Sequence, residues 1–130
     1  MKTVLKVVVG LIVLVLLIGF GGVYYLQRGL DKGSEVMINN VNLASISDGT
    51  YTGQYNEGRW SNKVTVVVKD HQITDINIDK KILFEKPEVT EELLTKVINQ
   101  QNINVDVVAG ATVTCKAYLK AIEDALTTLN

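Results

Sequence analysis

Cysteine, histidine, proline and tryptophan each occur only once in this chain of 130 residues. With Cys115 alone, no intramolecular disulfide can form. Its one possible metal-ligating companion, His71, lies 44 residues away, so no metal cluster is legible. No acid/base pair or nucleophile set stands out, which weighs against an enzyme with its own substrate. Glycine-rich nucleotide loops are missing too: Gly19, Gly21 and Gly22 fall in an apolar run, where they ease helix packing. An excess of basic charge is also lacking. Beyond residue 27, 11 basic side chains face 14 acidic ones, a net charge of −3 that argues against a nucleic-acid partner.

The longest gap is in charge itself. Val7 to Leu26 (VVVGLIVLVLLIGFGGVYYL) is 20 residues without a charge. As a helix it would be about 30 Å long, the thickness of a bilayer's hydrocarbon layer. Lys2 and Lys6 precede it, Tyr24 and Tyr25 stand where an aromatic belt would, and Arg28 follows. A cleaved signal peptide is the rival reading, but it wants a shorter apolar region and a small-x-small site. No lipoprotein-type cysteine follows the run. The expectation is an uncleaved single-pass anchor over 1–27 in the cell membrane. Basic residues are balanced across it, so the short N-terminal side decides the orientation: the rest of the chain is expected to be extracytoplasmic.

Residues 28–43 mix glycines, charges and asparagines and read as a tether, partly helical. Residues 44–130 read as one small domain near the lower limit for a self-sufficient core. Gly49 to Tyr55 alternates as a half-buried strand, and Lys63 to Lys69 places Val64, Val66 and Val68 on one face. After a turn at Asp70-His71, Gln72 to Lys80 returns with Ile76 and Ile78 in phase, although the turn lacks the usual glycine. Pro87 opens a helix with Thr90 as its expected N-cap and Leu93, Leu94, Val97 and Ile98 as its buried stripe. Asn102 to Val108 is extended. A last helix is expected from Thr112 to about Leu129, burying Tyr118, Ala121, Ile122, Ala125, Leu126 and Leu129. Strands first and helices after imply an α+β fold: a small antiparallel sheet with two packed helices, preceded by one N-terminal transmembrane helix.

One stretch fits none of these roles. Residues 106–112 read Asp-Val-Val-Ala-Gly-Ala-Thr, too polar for core and too apolar for an ordinary loop. Taken alone, Thr112 could simply cap the last helix. The stretch also resembles the flavinylation sequence of FMN-binding domains, in which an aspartate precedes by six residues a threonine or serine that follows Gly-Ala. Asp48 to Gly53 (DGTYTG), then the valine strand and the isoleucine strand, look like the opening of the same domain, and Val105 to Leu126 is similar to its closing, so the resemblance covers about 48–130. In that family the hydroxyl is esterified by the phosphate of FMN. The position before Gly110 is commonly serine or threonine there, and here it is Ala109.

What the resemblance implies is a covalent FMN on Thr112, with Asp106, Gly110, Ala111 and Thr114 forming the recognition and phosphate-holding segment. A threonine hydroxyl cannot attack a pyrophosphate unaided. A separate FAD-dependent flavin transferase is therefore the expected partner, supplying base and metal. The further partners are a membrane dehydrogenase or quinol as electron donor and a surface reductase or external acceptor. Flavin needs an aromatic wall. Tyr51, Phe84 and Tyr118 fit buried faces better than a wall, whereas Trp60, between Arg59 and Ser61, reads as exposed and available to stack. Cys115 reads as a small packing residue, with a reactive thiol as the lesser reading. A non-covalent FMN-binding or sensor module, or a structural accessory of a membrane redox complex, remain alternatives to an electron carrier.

Overall fold

The computed structural model describes residues 1–128, so the expected burial of Leu129 lies outside the described residues. Helix α1 spans Lys2–Gln27 and buries none of its residues, and it is long and apolar enough to cross a membrane. A short helix α2 (Leu30–Glu35) follows, then strands β1 (Gly49–Tyr55), β2 (Asn62–Lys69) and β3 (Gln72–Lys80), then α3 (Pro87–Gln100) and α4 (Thr112–Thr127). The sheet is antiparallel in the order β1-β2-β3, and α4 lies across β1 and β2. The fold is α+β, as the order of strands and helices predicts.

The core forms where α4 meets the sheet. Val64, Val66 and Val68 point inward against Tyr118, Ala121, Ile122 and Ala125, all at most 2% exposed. Strict alternation on β3 would put Ile73 and Ile76 on opposite faces, yet both are buried. A bulge resolves this. Val67 pairs with Asp75 but Val68 with Ile73, so Thr74 is an extra residue that restores the phase. The β2–β3 turn takes the left-handed backbone without glycine, with φ of 53° at Asp70 and 60° at His71. Two contacts hold it: the Asp48 carboxylate accepts the Asp70 N–H at 2.8 Å, and His71 Nδ1 lies 2.8 Å from the Ile46 carbonyl.

Helix α3 begins one turn earlier than its expected cap. Lys86 holds the N-cap and Pro87 the first helical position, where its fixed φ suits the helix and its missing N–H costs nothing. Thr90 is instead buried in the first turn and donates to the Glu85 carboxylate at 2.9 Å. Leu93 and Val97 of the expected stripe are fully buried, Leu94 and Ile98 partly.

The segment read as a tether packs along α4. Gly33 sits so close to Val113 that a Cβ would lie 2.5 Å from Cγ1, and Lys116 Nζ donates to the Ser34 carbonyl at 2.7 Å. Farther on, the Asn39 N–H and Nδ2 donate to the two oxygens of Glu123, at 3.1 and 3.0 Å. Burial opposes ionisation of Glu123. Lys120, at 2.9 Å, and the two Asn39 bonds outweigh it and hold the carboxyl below its usual range. A folded-state value below the unfolded one stabilises the contact above the unfolded value, about pH 4.3. That stabilisation is lost as pH falls through the folded value. Amide protection of residues 36–43, measured by hydrogen exchange, is therefore expected to be high at about pH 7 and to drop at about pH 3, ahead of the sheet. Glu123→Gln should show the low protection at both.

Candidate functional site

Thr112 stands exposed at the very start of α4, as the first helical residue and not as its cap. The capping position belongs to Ala111, whose side chain can accept nothing. The first amide of the helix to be satisfied is that of Cys115, which donates to the Ala111 carbonyl at 2.9 Å. The N–H groups of Thr112, Val113 and Thr114 find no acceptor among the described residues. A helix that leaves its first amides unpaired, next to an exposed hydroxyl, presents a place for an anion.

The bend before it explains the small residues. Gly110 has φ 78°, a left-handed backbone that side chains resist, and a Cβ there would meet nothing within 4 Å. Glycine is thus needed for conformation, and the open space means that Thr112 is approached freely. Ala111 N–H closes the bend onto the Val108 carbonyl at 3.0 Å, while Val107 and Val108 pack against the core. Asp106 is exposed, and its carboxylate accepts no hydrogen bond among the described residues. It is therefore not the acceptor of a local turn.

Beside the bend lies an open cleft of about 270 Å³, lined by Arg59, Phe84, Lys86, Val89, Ala109, Gly110, Ala111 and Thr114. Of the predicted site, the structure brings Gly110, Ala111 and Thr114 to the cleft; Thr112, between them in the chain, does not line it, and neither do Asp106 and Trp60. Two side chains change places relative to the sequence reading. Trp60 is only 2% exposed, so it is a core residue and no exposed stacking platform. Its ring is covered by Arg59, whose guanidinium carbon stands 4.1 Å from the ring centroid. Phe84, expected in the core, is 78% exposed and lines the cleft.

The Phe84 loop is fixed from below. Phe84 has φ 59°, an uncommon backbone for an aromatic residue. On one side of it the Leu83 N–H donates to the Arg59 carbonyl at 3.1 Å, and the Ile82 N–H donates to the Tyr118 hydroxyl at 3.1 Å. On the other side, Glu85 accepts hydrogen bonds from Tyr118 and Thr90. Burial pushes the Tyr118 phenol well above its usual range, and the Glu85 carboxylate that it serves pushes it further. It therefore remains a donor across the physiological range. These buried bonds impose a conformation that Phe84 would not choose alone. No periodicity in the run Ile82-Leu83-Phe84 reveals which of the three is buried; only Ile82 is.

Tyr51 is half-buried and donates to the Ser47 carbonyl, and Tyr118 lies wholly in the core, so neither lines the cleft. Cys115 is fully buried, and burial raises its thiol above the usual value. It packs and is not poised to react.

The site thus combines an exposed hydroxyl, unpaired amides, two cations and one presented aromatic ring. Phosphate would be held by the amides, Arg59 and Lys86, and a flat ring by Phe84 and Val89. The donor set fits FMN, an anion joined to an apolar ring system. A comparison with curated proteins finds no match. A model of the FMN-binding domain matches residues 58–127, from the Arg59 turn through α3 to the end of α4. The match begins ten residues later than the resemblance suggested, and it contains every residue that lines the cleft. It covers more than half of the chain, and the chain belongs to the FMN-binding domain family.

Proposed function

We propose that this protein is a membrane-anchored electron carrier that holds FMN through a phosphoester to Thr112. The observation that carries the proposal is the exposure of Thr112 beside three unpaired amides, on a bend that leaves it open to approach. Attachment would proceed at the expense of FAD. The Thr112 Oγ1 bonds to the flavin-side phosphorus, the pyrophosphate P–O bond breaks, AMP leaves and the hydroxyl proton passes to a base. The only histidine, His71, lies in the β2–β3 turn, so the base belongs to a separate flavin transferase, with its metal. Exposed Asp106, six residues ahead, is the recognition element for that enzyme.

The phosphodiester so formed carries one negative charge. The amides of α4 and the cations Arg59 and Lys86 stabilise it. When bound, FMN supplies transfer of one or two electrons. The chain contributes placement: Phe84 and Val89 shelter the ring, and the bonded loop beneath Phe84 keeps the ring's wall from moving. Helix α1 crosses the membrane with its N-terminus inside, which puts the domain on the extracytoplasmic side. A membrane dehydrogenase or quinol then serves as donor, and a surface reductase or an external molecule as acceptor.

Denaturation tests the covalent bond. Produced together with a flavin transferase, the protein is expected to keep its yellow fluorescence in a denaturing gel. Loss of the colour on unfolding would leave only non-covalent binding.

A further inference from the structure

Outside α1, few large apolar side chains are left in solvent, and two of them are neighbours, Leu83 at 49% and Phe84 at 78% exposed. A loop tip with two such residues is costly in water unless something covers it. Its position says what does. Arg59 Nε donates to the Leu26 carbonyl at 3.1 Å, in the last turn of α1 and two residues before Arg28, the first charge after the apolar run. The Arg59 carbonyl accepts the Leu83 N–H at 3.1 Å. Two hydrogen bonds through one residue therefore connect the end of the apolar helix to the apolar tip. Gly58 tightens the connection: at φ 54° it approaches the Arg28 carbonyl so closely that a Cβ would lie 2.7 Å from it. Just past α1, Lys32 of α2 pairs with Glu57 at 3.7 Å.

Charge around the tip suits a lipid surface. Lys80, Lys81 and Lys86 surround it; the one acid within 80–86 is Glu85, of which one oxygen accepts from Tyr118 and Thr90 and the other pairs with Lys81 at 3.4 Å. All three lysines are exposed. An apolar pair ringed by lysines is the pattern of a segment lying in the headgroup layer, with ammonium groups at the phosphates.

We propose that the loop 80–86 dips into the bilayer from which α1 emerges, inserting Leu83 among the lipid headgroups with Phe84 at their boundary. The inference rests on α1 spanning the membrane, and it adds a second, peripheral contact. Since Phe84 and Arg59 also line the cleft, the cleft then opens at the lipid–water boundary, within reach of a donor dissolved in the membrane. The domain would sit on the membrane at a fixed attitude, held by α1 and the loop together.

The test uses the full chain in vesicles of phosphatidylcholine and phosphatidylglycerol, with an environment-sensitive NBD label on one introduced cysteine. The variants are Leu83→Cys, Leu14→Cys within α1, and Lys69→Cys at the far end of β2, each with Cys115→Ala. The label at position 83 is expected to lose emission to a quencher on the lipid acyl chain near the headgroup, and to be shielded from aqueous iodide. Lys69→Cys is expected to behave in the opposite way. Position 83 as open to iodide as position 69, with position 14 shielded from iodide, would overturn the loop contact while leaving the anchor intact. Position 14 open to iodide would overturn the anchor, and the loop contact with it. None of these readouts depends on flavin.

Discussion

Thr112→Val is expected to remove the flavin adduct completely while leaving the fold intact. Valine has the shape of threonine and the same branching at Cβ, so the first turn of α4 keeps its geometry. Position 112 is exposed, and its hydroxyl makes no bond among the described residues, so the stability change should stay within about 0.5 kcal/mol. Only the oxygen that would carry the phosphorus is lost. Intact mass of protein co-produced with a flavin transferase should show one FMN per chain in the wild type and none in the variant. Thr112→Ser should regain the adduct, since serine supplies the same oxygen. Thr114→Val is the sharper control: it removes a neighbouring hydroxyl in the first turn of α4, one that lines the cleft, and should leave the adduct in place. A wild type at its unmodified mass would remove the covalent proposal, and so would an adduct that persists on Thr112→Val.

How far the sequence announces all this differs between fold and site. Period-two valines on β2 and period-3.6 alanines and leucines on α4 are signals written by burial, and the elements stand where they indicate. The β3 bulge is not legible in this way, because an extra residue shows only when a partner strand is present to count against. At the site, the bend from Gly110 to Thr112 is visible because glycine at a positive φ and a threonine at a helix start leave a local pattern. The aromatic wall is not. Trp60 stands among polar neighbours and reads as exposed, yet Arg59 covers its ring and α4 and the sheet enclose it. Phe84 sits in an apolar triplet and reads as buried, yet the Tyr118–Glu85–Thr90 bonds fix the loop with Phe84 outside. Both misreadings have one cause. Burial of a loop residue is set by long-range bonds, which no local window contains.

Gly53→Ala is expected to be the most damaging single substitution in the domain. The reason is space and not backbone freedom, since Gly53 has no positive φ. A Cβ at this position would lie 2.1 Å from the Ala121 carbonyl oxygen, 2.2 Å from the Ala125 nitrogen and 2.8 Å from its Cα. All three atoms are backbone of α4, which cannot swing aside as a side chain can. The helix would have to lift off β1, and the core beneath it would open around Ile122 and Val64. Gly33→Ala sets the scale for comparison: its clash is with Val113 Cγ1, a methyl that a rotation can move. Overpacking typically costs 1–3 kcal/mol, so for a rigid backbone contact a loss of about 3 kcal/mol or more is expected. In a domain of this size that lowers the unfolding midpoint by roughly 12 °C or more. Circular dichroism of the full chain on heating measures it, with Gly33→Ala expected to fall between Gly53→Ala and the wild type. A Gly53→Ala midpoint equal to the wild type would mean that β1 and α4 are not in backbone contact. Flavin content completes the comparison. Because the Thr112 hydroxyl, the proposed acceptor, is held at the start of the displaced helix, Gly53→Ala should lose adduct in step with structure. Thr112→Val should lose the adduct alone, and that separation distinguishes a damaged scaffold from a missing point of attachment.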